Sequence, residues 1–246
     1  MNNVVLNKDE RLDDLQYKSL KLIQNKKQYC FSTDAVLLAN FIKARKKDVL
    51  VDLCSGSGIV AILALAKNNL QKAYGIEFQK NMYELAQKNI ILNDLTHKLQ
   101  FFNDKIQNFS EFFEKCSIDV VSSNPPYEKV EGHFLSENEH MNICKYETEL
   151  TLKELVKVAS ELLKFGGKFY FIHKSTRLAE IIATLKQYNL EPKVLQFIQP
   201  KKHLNSNVVL IEAVKEGKSG IIIKPTLVIN NEDGSYTEEF KKVYGE

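Results

Sequence analysis

The residues with the clearest chemical potential are Asn124, Pro125, Pro126 and Tyr127, which follow an apolar run beginning at Asp119. Two consecutive prolines predict a rigid turn, because proline has a locked backbone and no N–H to donate. An amino group conjugated to a π system is a poor nucleophile. Two acceptors, the Asn124 side-chain oxygen and the Pro125 carbonyl, can each take one amino hydrogen and aim the nitrogen lone pair at a methyl donor. We therefore predict that Asn124, Pro125 and Tyr127 are catalytic, with the Tyr127 ring stacking on a target base.

A glycine-rich turn over residues 54–58 forms a second constellation, between the apolar run 49–53 and a helical pattern. Glycines let a ligand approach the backbone, and a helix start offers free N–H groups, so the turn predicts a nucleotide-type cofactor. The glycines fit NAD and S-adenosylmethionine equally. Asp52 favours S-adenosylmethionine, because a carboxylate suits an amino group and repels a pyrophosphate.

Further polar residues follow the next two apolar runs. Glu77 lies about twenty residues beyond the glycines, where a carboxylate can accept both ribose hydroxyl hydrogens. Asp104 can accept a hydrogen bond from the cofactor adenine, although such acids also cap turns or end strands. The residues of this part of the chain that we predict to contact the cofactor are Asp52, Cys54, Gly56, Gly58, Glu77, Phe78, Asp104 and Asn124.

These residues need a parallel sheet to bring them together. Short apolar runs alternate with helical periodicity, which predicts a doubly wound α/β fold with a seven-stranded, mostly parallel sheet. The predicted strands are 48–53, 73–76, 99–102, 119–122, 168–173, 194–198 and 207–213, and the predicted helices are 59–67, 80–92, 148–163 and 177–188. The polar stretch between Tyr127 and Thr148 is predicted to be a functional loop beside the site.

One catalytic domain is expected, spanning residues 46–215. Residues 1–45 are an N-terminal extension, and residues 216–246 are a C-terminal tail packed on the same domain. In the tail, 221–223 and 226–229 predict an extra strand, and Asp233 with Gly234 predicts a turn.

Composition excludes several classes of protein. With 44% hydrophobic and 26% charged residues, the chain is neither disordered nor membrane-embedded, and we expect a cytoplasmic protein. The four cysteines form no C-x-x-C pair, and the loop residues His133, Glu137 and His140 are irregularly spaced, so no metal is predicted.

The net charge of +3 favours a polyanion only weakly. Residues that could contact RNA phosphates are Lys43, Arg45, Lys46, Lys47, Lys201, Lys202 and His203.

The motifs resemble those of class I Rossmann-like methyltransferases that modify amino nitrogens, whose signature Asn/Asp-Pro-Pro-Tyr/Phe is matched by residues 124–127. Nearly the whole chain resembles the bacterial tRNA(Val) adenosine-37 N6-methyltransferase family. The resemblance rests on segments 11–15, 31–38, 52–58, 124–127, 164–168 and 234–237. The family often has glycine where this chain has Cys30.

The resemblance implies transfer of a methyl group from S-adenosylmethionine to the N6 amino group of an adenine in tRNA. It also implies that Ser32, Thr33 and Asp34 help to hold the methionine end of the cofactor, with helix capping as their alternative role. No obligatory protein partner is implied.

Three other functions remain open from the residues alone. The same motif serves glutamine amides of proteins such as release factors, although such enzymes typically carry a separate helical N-terminal domain. The glycine turn also fits an NAD-dependent oxidoreductase. A catalytically silent RNA-binding module is disfavoured by intact Asn124 and Tyr127.

Overall fold

The apolar runs form a central sheet in the computed structural model, which describes residues 4–28, 30–128, 142–143 and 146–244. The strands are β1 (Glu10–Asp14), β2 (Lys21–Asn25), β3 (Val49–Leu53), β4 (Lys72–Ile76), β5 (Leu99–Phe102), β6 (Ile118–Ser123), β7 (Leu163–Lys174), β8 (Leu190–Gln199), β9 (Val208–Lys215), β10 (Ile222–Ile223) and β11 (Leu227–Val228). All seven predicted strands are present, and β7 is much longer than predicted. The fold-class prediction is confirmed.

The main sheet has nine strands in the described part of the chain, in the order β10-β8-β9-β7-β6-β3-β4-β5, with β11 also paired to β8. Strand β9 is antiparallel to both of its neighbours. The other pairs in the sheet are parallel. Strands β3, β4, β5, β6, β7 and β8 therefore all end at one edge of the sheet, here called the carboxyl edge.

Helices cover both faces of this sheet. They are α1 (Thr33–Phe41), α2 (Ile59–Asn68), α3 (Lys80–Leu92), α4 (Leu152–Leu162), α5 (Leu178–Gln187) and α6 (Glu238–Tyr244), with 3-10 turns at Ile106–Glu111 and Ser175–Arg177. One apolar core lies under α1, α2 and α3, and a second lies under α4 and α5. This arrangement is the doubly wound one. No helix in the described ranges combines the length and the apolar character that a membrane crossing requires.

Helix α4 begins four residues later than the periodicity predicts. The Thr151 hydroxyl accepts a hydrogen bond from the backbone N–H of Glu154, and the Glu154 carboxylate accepts one from the backbone N–H of Thr151. This reciprocal pair is a capping box, which fixes the helix start and leaves residues 148–150 outside the helix.

The N-terminal extension contains an antiparallel hairpin, β1 with β2, that the sequence prediction missed. Its strand β2 docks on α3 through Asn89, which is fully buried. The Asn89 side chain accepts a hydrogen bond from Ile23 N (2.6 Å) and donates to Ile23 O (3.2 Å) and Ser57 O (3.0 Å). One turn further along the helix, Asn93 binds the backbone of Lys21 in the same way. The side-chain amides of Asn89 and Asn93 thus make hydrogen bonds to β2 that a third strand would otherwise provide.

The C-terminal tail packs against the side of the sheet formed by β8. Strands β10 and β11 pair in parallel with β8, and Phe240 of α6 is buried in the same core as α1 and α2. The two predicted strand segments and the turn at Gly234, which has φ +89°, are present. Helix α6 was not predicted. The domain boundaries at 45 and 215 stay predictions.

We expect Asn89→Leu to lower the free energy of unfolding by about 3 kcal/mol, because it leaves the buried N–H and C=O of Ile23 without partners. Asn81→Leu, in an exposed position on the same helix, is the matched control. Chemical denaturation of the two variants measures the difference. Equal stability of the two variants would show that Asn89 is not the anchor of the hairpin.

Candidate functional site

A pocket opens at the carboxyl edge, above the ends of β3, β4 and β6. Its walls come from the start of α1, the glycine turn with the start of α2, the segments after β4 and β5, the motif after β6, and residues 143, 149 and 150. The lining residues are Phe31, Ala35, Cys54, Ser55, Gly56, Ser57, Ile59, Val60, Glu77, Phe78, Gln79, Met82, Lys105, Ile106, Gln107, Asn124, Pro126, Ile143, Glu149 and Leu150.

The glycine turn adopts a left-handed backbone that favours glycine. Gly56 and Gly58 have φ values of +55° and +88°. A Cβ on Gly58 would also lie 2.6 Å from the ring of Phe101, and a Cβ on Gly75 would lie 2.3 Å from the same ring. Phe101 therefore fills the space beneath the turn. Gly75 and Phe101 were not singled out in the sequence, because their role depends on contact between β4 and β5.

The Glu77 carboxylate joins the end of β4 to the glycine turn. It accepts hydrogen bonds from Gly56 N and Gln79 N, both at 2.8 Å, and lines the pocket. Burial raises the pKa of Glu77, although the backbone donors act in the opposite direction. Each oxygen keeps capacity for another donor, as the predicted contact with ribose hydroxyls requires.

Asp52 lies beneath the pocket floor and is only 1% exposed. Its Oδ1 accepts a hydrogen bond from Ser122 Oγ at 2.6 Å, while its Oδ2 has no hydrogen-bond partner among the described residues. Burial raises the pKa of Asp52 to about 7, against the effect of Ser122, and the nearby Glu77 carboxylate raises it further. A buried acceptor without a partner is costly, so this oxygen favours a cationic or hydrogen-bond-donating ligand.

The Asn-Pro-Pro-Tyr motif follows β6 at the carboxyl edge, where it was predicted. Asn124 and Pro126 line the pocket. The Tyr127 hydroxyl contacts Asn124 Oδ1 and lies 3.1 Å from Asp34 Oδ2, which ties the motif to the first turn of α1. Burial raises the pKa of Asp34, and the Tyr127 hydroxyl opposes this effect. Asp34 therefore contacts the motif in this structure.

Several predicted cofactor residues lie beside the pocket without lining it. Ser32 and Thr33 sit between the lining residues Phe31 and Ala35. Asp104 Oδ1 accepts hydrogen bonds from Lys105 N (2.7 Å) and Asn108 Nδ2 (2.8 Å), which is the turn-capping alternative raised above. The predicted residues that do not line the pocket are Ser32, Thr33, Asp34, Asp52, Gly58, Asp104, Pro125 and Tyr127.

One wall of the pocket was missed by the sequence prediction. The Lys105 Nζ lies 2.8 Å from the Glu149 carboxylate and 5.0 Å from the centre of the Phe78 ring. Gln107 Nε2 donates to the Glu149 carbonyl at 3.3 Å. The available signal was the presence of Lys105 and Gln107 soon after β5, but their partner Glu149 is remote in sequence.

The predicted RNA-binding residues fall into two groups at opposite edges. Residues 43–47 precede β3, so they lie at the amino edge, about 16 Å from the carboxyl edge at 3.3 Å per strand residue. Residues 201–203 follow β8 and lie at the carboxyl edge. There Lys201 Nζ donates to Glu232 O at 3.1 Å and His203 Nδ1 lies 3.1 Å from Glu232 Oε1. The structure does not bring the two groups together.

The residues considered as metal ligands, His133, Glu137 and His140, lie outside the described residues, as does most of the predicted loop after Tyr127. Within the described ranges there is no group of three or more His, Cys, Asp or Glu side chains that could hold a metal ion.

The chain is similar to known methyltransferases in sequence and in fold. It is 23% identical over 228 residues to the tRNA1(Val) (adenine(37)-N6)-methyltransferase of Pseudoalteromonas translucida, covering 91% of this chain and 93% of that protein. A predicted O-methyltransferase of Agrobacterium tumefaciens superimposes with a TM-score of 0.70, at 18% identity, over 87% of this chain and 96% of the other.

A second solved structure, geranyl diphosphate C-methyltransferase of Streptomyces coelicolor in complex with Mg²⁺, geranyl diphosphate and S-adenosyl-L-homocysteine, superimposes with a TM-score of 0.55. Its identity is 13%, over 74% of this chain and 76% of that one. The model of the methyltransferase small domain matches residues 30–191, which include the glycine turn, Glu77 and the Asn-Pro-Pro-Tyr motif. The chain therefore belongs to the methyltransferase small domain family.

Proposed function

We propose that this protein transfers the methyl group of S-adenosylmethionine to the N6 amino group of an adenine in tRNA, at adenosine 37 of tRNA(Val). The observation that carries the proposal is that Asn124 of the Asn-Pro-Pro-Tyr motif opens into the same pocket as Glu77 and the glycine turn. The relatives named as tRNA1(Val) (adenine(37)-N6)-methyltransferases support the choice of substrate.

Polar atoms that suit this cofactor lie in the pocket and directly beneath it. Asp52 Oδ2 and Ser55 Oγ are buried polar atoms with no hydrogen-bond partner among the described residues, close to the turn. Asp52 suits the methionine ammonium, and Glu77 suits the ribose hydroxyls. The exposed ring of Phe78 offers an apolar wall for the adenine. When bound, the cofactor supplies a methyl carbon that its sulfonium makes electrophilic.

Asn124 and Pro125 activate the acceptor. Their two carbonyl oxygens each accept one hydrogen of the target amino group, so the nitrogen lone pair turns away from the ring and toward the pocket. Tyr127 presents its ring to the base, and its hydroxyl fixes the Asn124 amide. Holding nucleophile and electrophile in line supplies the greater part of the acceleration. The proton leaves the methylated nitrogen to water.

Two rival activities receive less support. Methylation of a glutamine amide uses the same motif, but the relatives carry tRNA names. An NAD-dependent oxidoreductase would place a pyrophosphate near the buried Asp52 carboxylate, which would repel it, whereas Glu77 suits the ribose of either cofactor. The proposal includes no metal ion, no obligatory protein partner and a cytoplasmic place of action on tRNA.

Residues 201–203 are the proposed RNA contact nearest the site, because they share the carboxyl edge with Asn124 and Tyr127. Residues 43–47 would meet only RNA that extends to the amino edge.

The proposal is tested by incubating unmodified tRNA with the protein and labelled S-adenosylmethionine, followed by nucleoside analysis. We expect labelled N6-methyladenosine. Asn124→Ala removes one of the two acceptors, so kcat should fall at least about 100-fold, by analogy with loss of an oxyanion-hole donor, while calorimetry shows a much smaller loss of cofactor affinity. Full activity of the variant, or label in another nucleoside, would reject the mechanism.

Cofactor affinity should depend on pH through Asp52. Because burial raises the pKa of Asp52 to about 7, the carboxyl is largely protonated at pH 5.5 and must lose its proton to pair with the ammonium. Affinity should therefore rise as pH increases from 5.5 to 7, by at most about tenfold per pH unit. Asp52→Asn should flatten this dependence. A wild-type affinity that stays constant over the range would exclude the pairing.

Binding of tRNA should weaken with salt, because phosphate contacts release counterions. Replacing Lys201 and Lys202 with glutamine should reduce the slope of log K against log salt by about 1.5 to 2. Lys72 and Lys98 at the amino ends of β4 and β5 provide the matched double replacement, for which we expect an unchanged slope. A reduced slope for the Lys72 and Lys98 replacement, with an unchanged slope for the Lys201 and Lys202 replacement, would indicate that the RNA binds at the amino edge.

A further inference from the structure

The end of the Asn-Pro-Pro-Tyr motif is held by a side chain that the catalytic proposal does not use. Arg177 ends the second 3-10 turn, just after β7. One of its terminal nitrogens, Nη1, donates to the backbone carbonyl of Tyr127 at 3.1 Å and lies 2.6 Å from a Glu147 carboxylate oxygen. We propose that Arg177 is a positioning residue, which orients Asn124 and Tyr127 for methyl transfer without touching the base or the cofactor. This role rests on the function proposed above.

Arg177 is fixed on its own side of the contact. Its Nε and Nη2 bind the two carboxylate oxygens of Glu180 at 3.0 and 2.9 Å, one turn along the chain. The Arg177 and Glu147 side chains are only 12% and 10% exposed. A guanidinium held by a bidentate pair and shielded from water has little freedom, so it gives the Tyr127 carbonyl a fixed donor.

The contacts around Arg177 also join two chain segments next to the motif. Glu147 N donates to Glu128 O at 2.8 Å, and Glu128 and Tyr146 form a parallel bridge. The Glu128 carboxylate lies 3.0 Å from Lys174 Nζ at the end of β7. The residue that follows Tyr127 is therefore anchored by its backbone to Glu147, which is itself bound by Arg177.

Tyr127 is consequently held at both of its polar ends. Asp34 and Asn124 contact the hydroxyl, and Arg177 contacts the carbonyl. The ring packs between them on the imidazole of His173, with centroids 5.3 Å apart. Because the two prolines make the turn rigid, an anchor at Tyr127 also limits the orientation of Asn124.

The residue type at position 177 agrees with this role. The chain has 34 basic residues, and only Arg11, Arg45 and Arg177 among them are arginines. A lysine is a single point charge, whereas the planar fork of arginine can bind Glu180 with one pair of nitrogens and reach two further oxygens with a third. Position 177 needs that geometry.

Arg177→Met and Arg177→Lys test the proposal with Lys186→Met as the matched control. Lys186, at the other end of α5, also pairs with a carboxylate, that of Glu191, away from the motif. We expect kcat of both Arg177 variants to fall about 10- to 100-fold, since small misplacements of reacting groups have effects of this size. The dissociation constant for S-adenosylmethionine should match that of Lys186→Met, whereas the melting temperature should fall because Glu147 loses its buried partner. The kcat values are therefore compared well below the melting temperature of each variant. Millimolar guanidinium should restore part of the kcat of Arg177→Ala.

Hydrogen exchange gives a readout that does not depend on activity. The peptide containing residues 124–128 should exchange faster in Arg177→Met than in Lys186→Met. If the wild-type protein methylates tRNA and Arg177→Met is equally active, the positioning role alone is overturned. Unchanged hydrogen exchange of the 124–128 peptide in Arg177→Met would also overturn it, as would a loss of cofactor affinity that parallels the loss of kcat. A wild-type protein without activity on tRNA would overturn the proposed function, and the exchange result would still decide the role of Arg177.

Discussion

The hydrogen bond from Gly56 N to the Glu77 carboxylate is the interaction on which the pocket depends. It joins the ends of two adjacent parallel strands and holds the glycine turn in a left-handed backbone. The turn could not descend to this position if Gly58 or Gly75 carried a side chain, because the Phe101 ring lies directly beneath both. One packing arrangement thus includes the Glu77 carboxylate, the glycine turn and the Phe101 ring.

The same turn is supported from the other side by the N-terminal extension. Asn89 donates to Ser57 O with the same amide that pairs with Ile23 of the hairpin. The buried Gln24 of β2 accepts a hydrogen bond from Phe31 N at 2.8 Å, and Phe31 lines the pocket. The hairpin therefore fixes both the glycine turn and the segment that enters α1, although it contributes none of the lining residues itself.

The features predictable from sequence were those encoded locally. Strand β5 and helix α3 were predicted to the residue, because unbroken apolar periodicity identified both. The motif at 124–127 and the acid at Glu77 could be placed at one edge because parallel strands end together. What could not be predicted depends on remote partners. The hairpin requires Asn89, the pocket wall requires Glu149 to meet Lys105, and Arg177 was visible only as the start of a helix. The basic clusters at 43–47 and 201–203 looked equivalent by charge, and only the strand directions separated them.

The amide bridge at Asn89 has a consequence for how the chain is made. Ile23 finds its partner 66 positions later in the sequence, and Lys21 finds Asn93 72 positions later. During synthesis from the N-terminus, the hairpin is complete long before α3 leaves the ribosome, and an isolated two-stranded hairpin is at best marginally stable. The glycine turn and its N-terminal cover therefore reach their final form in one late event, after α3 has emerged. Until then the nascent chain carries two unfinished halves of the same pocket.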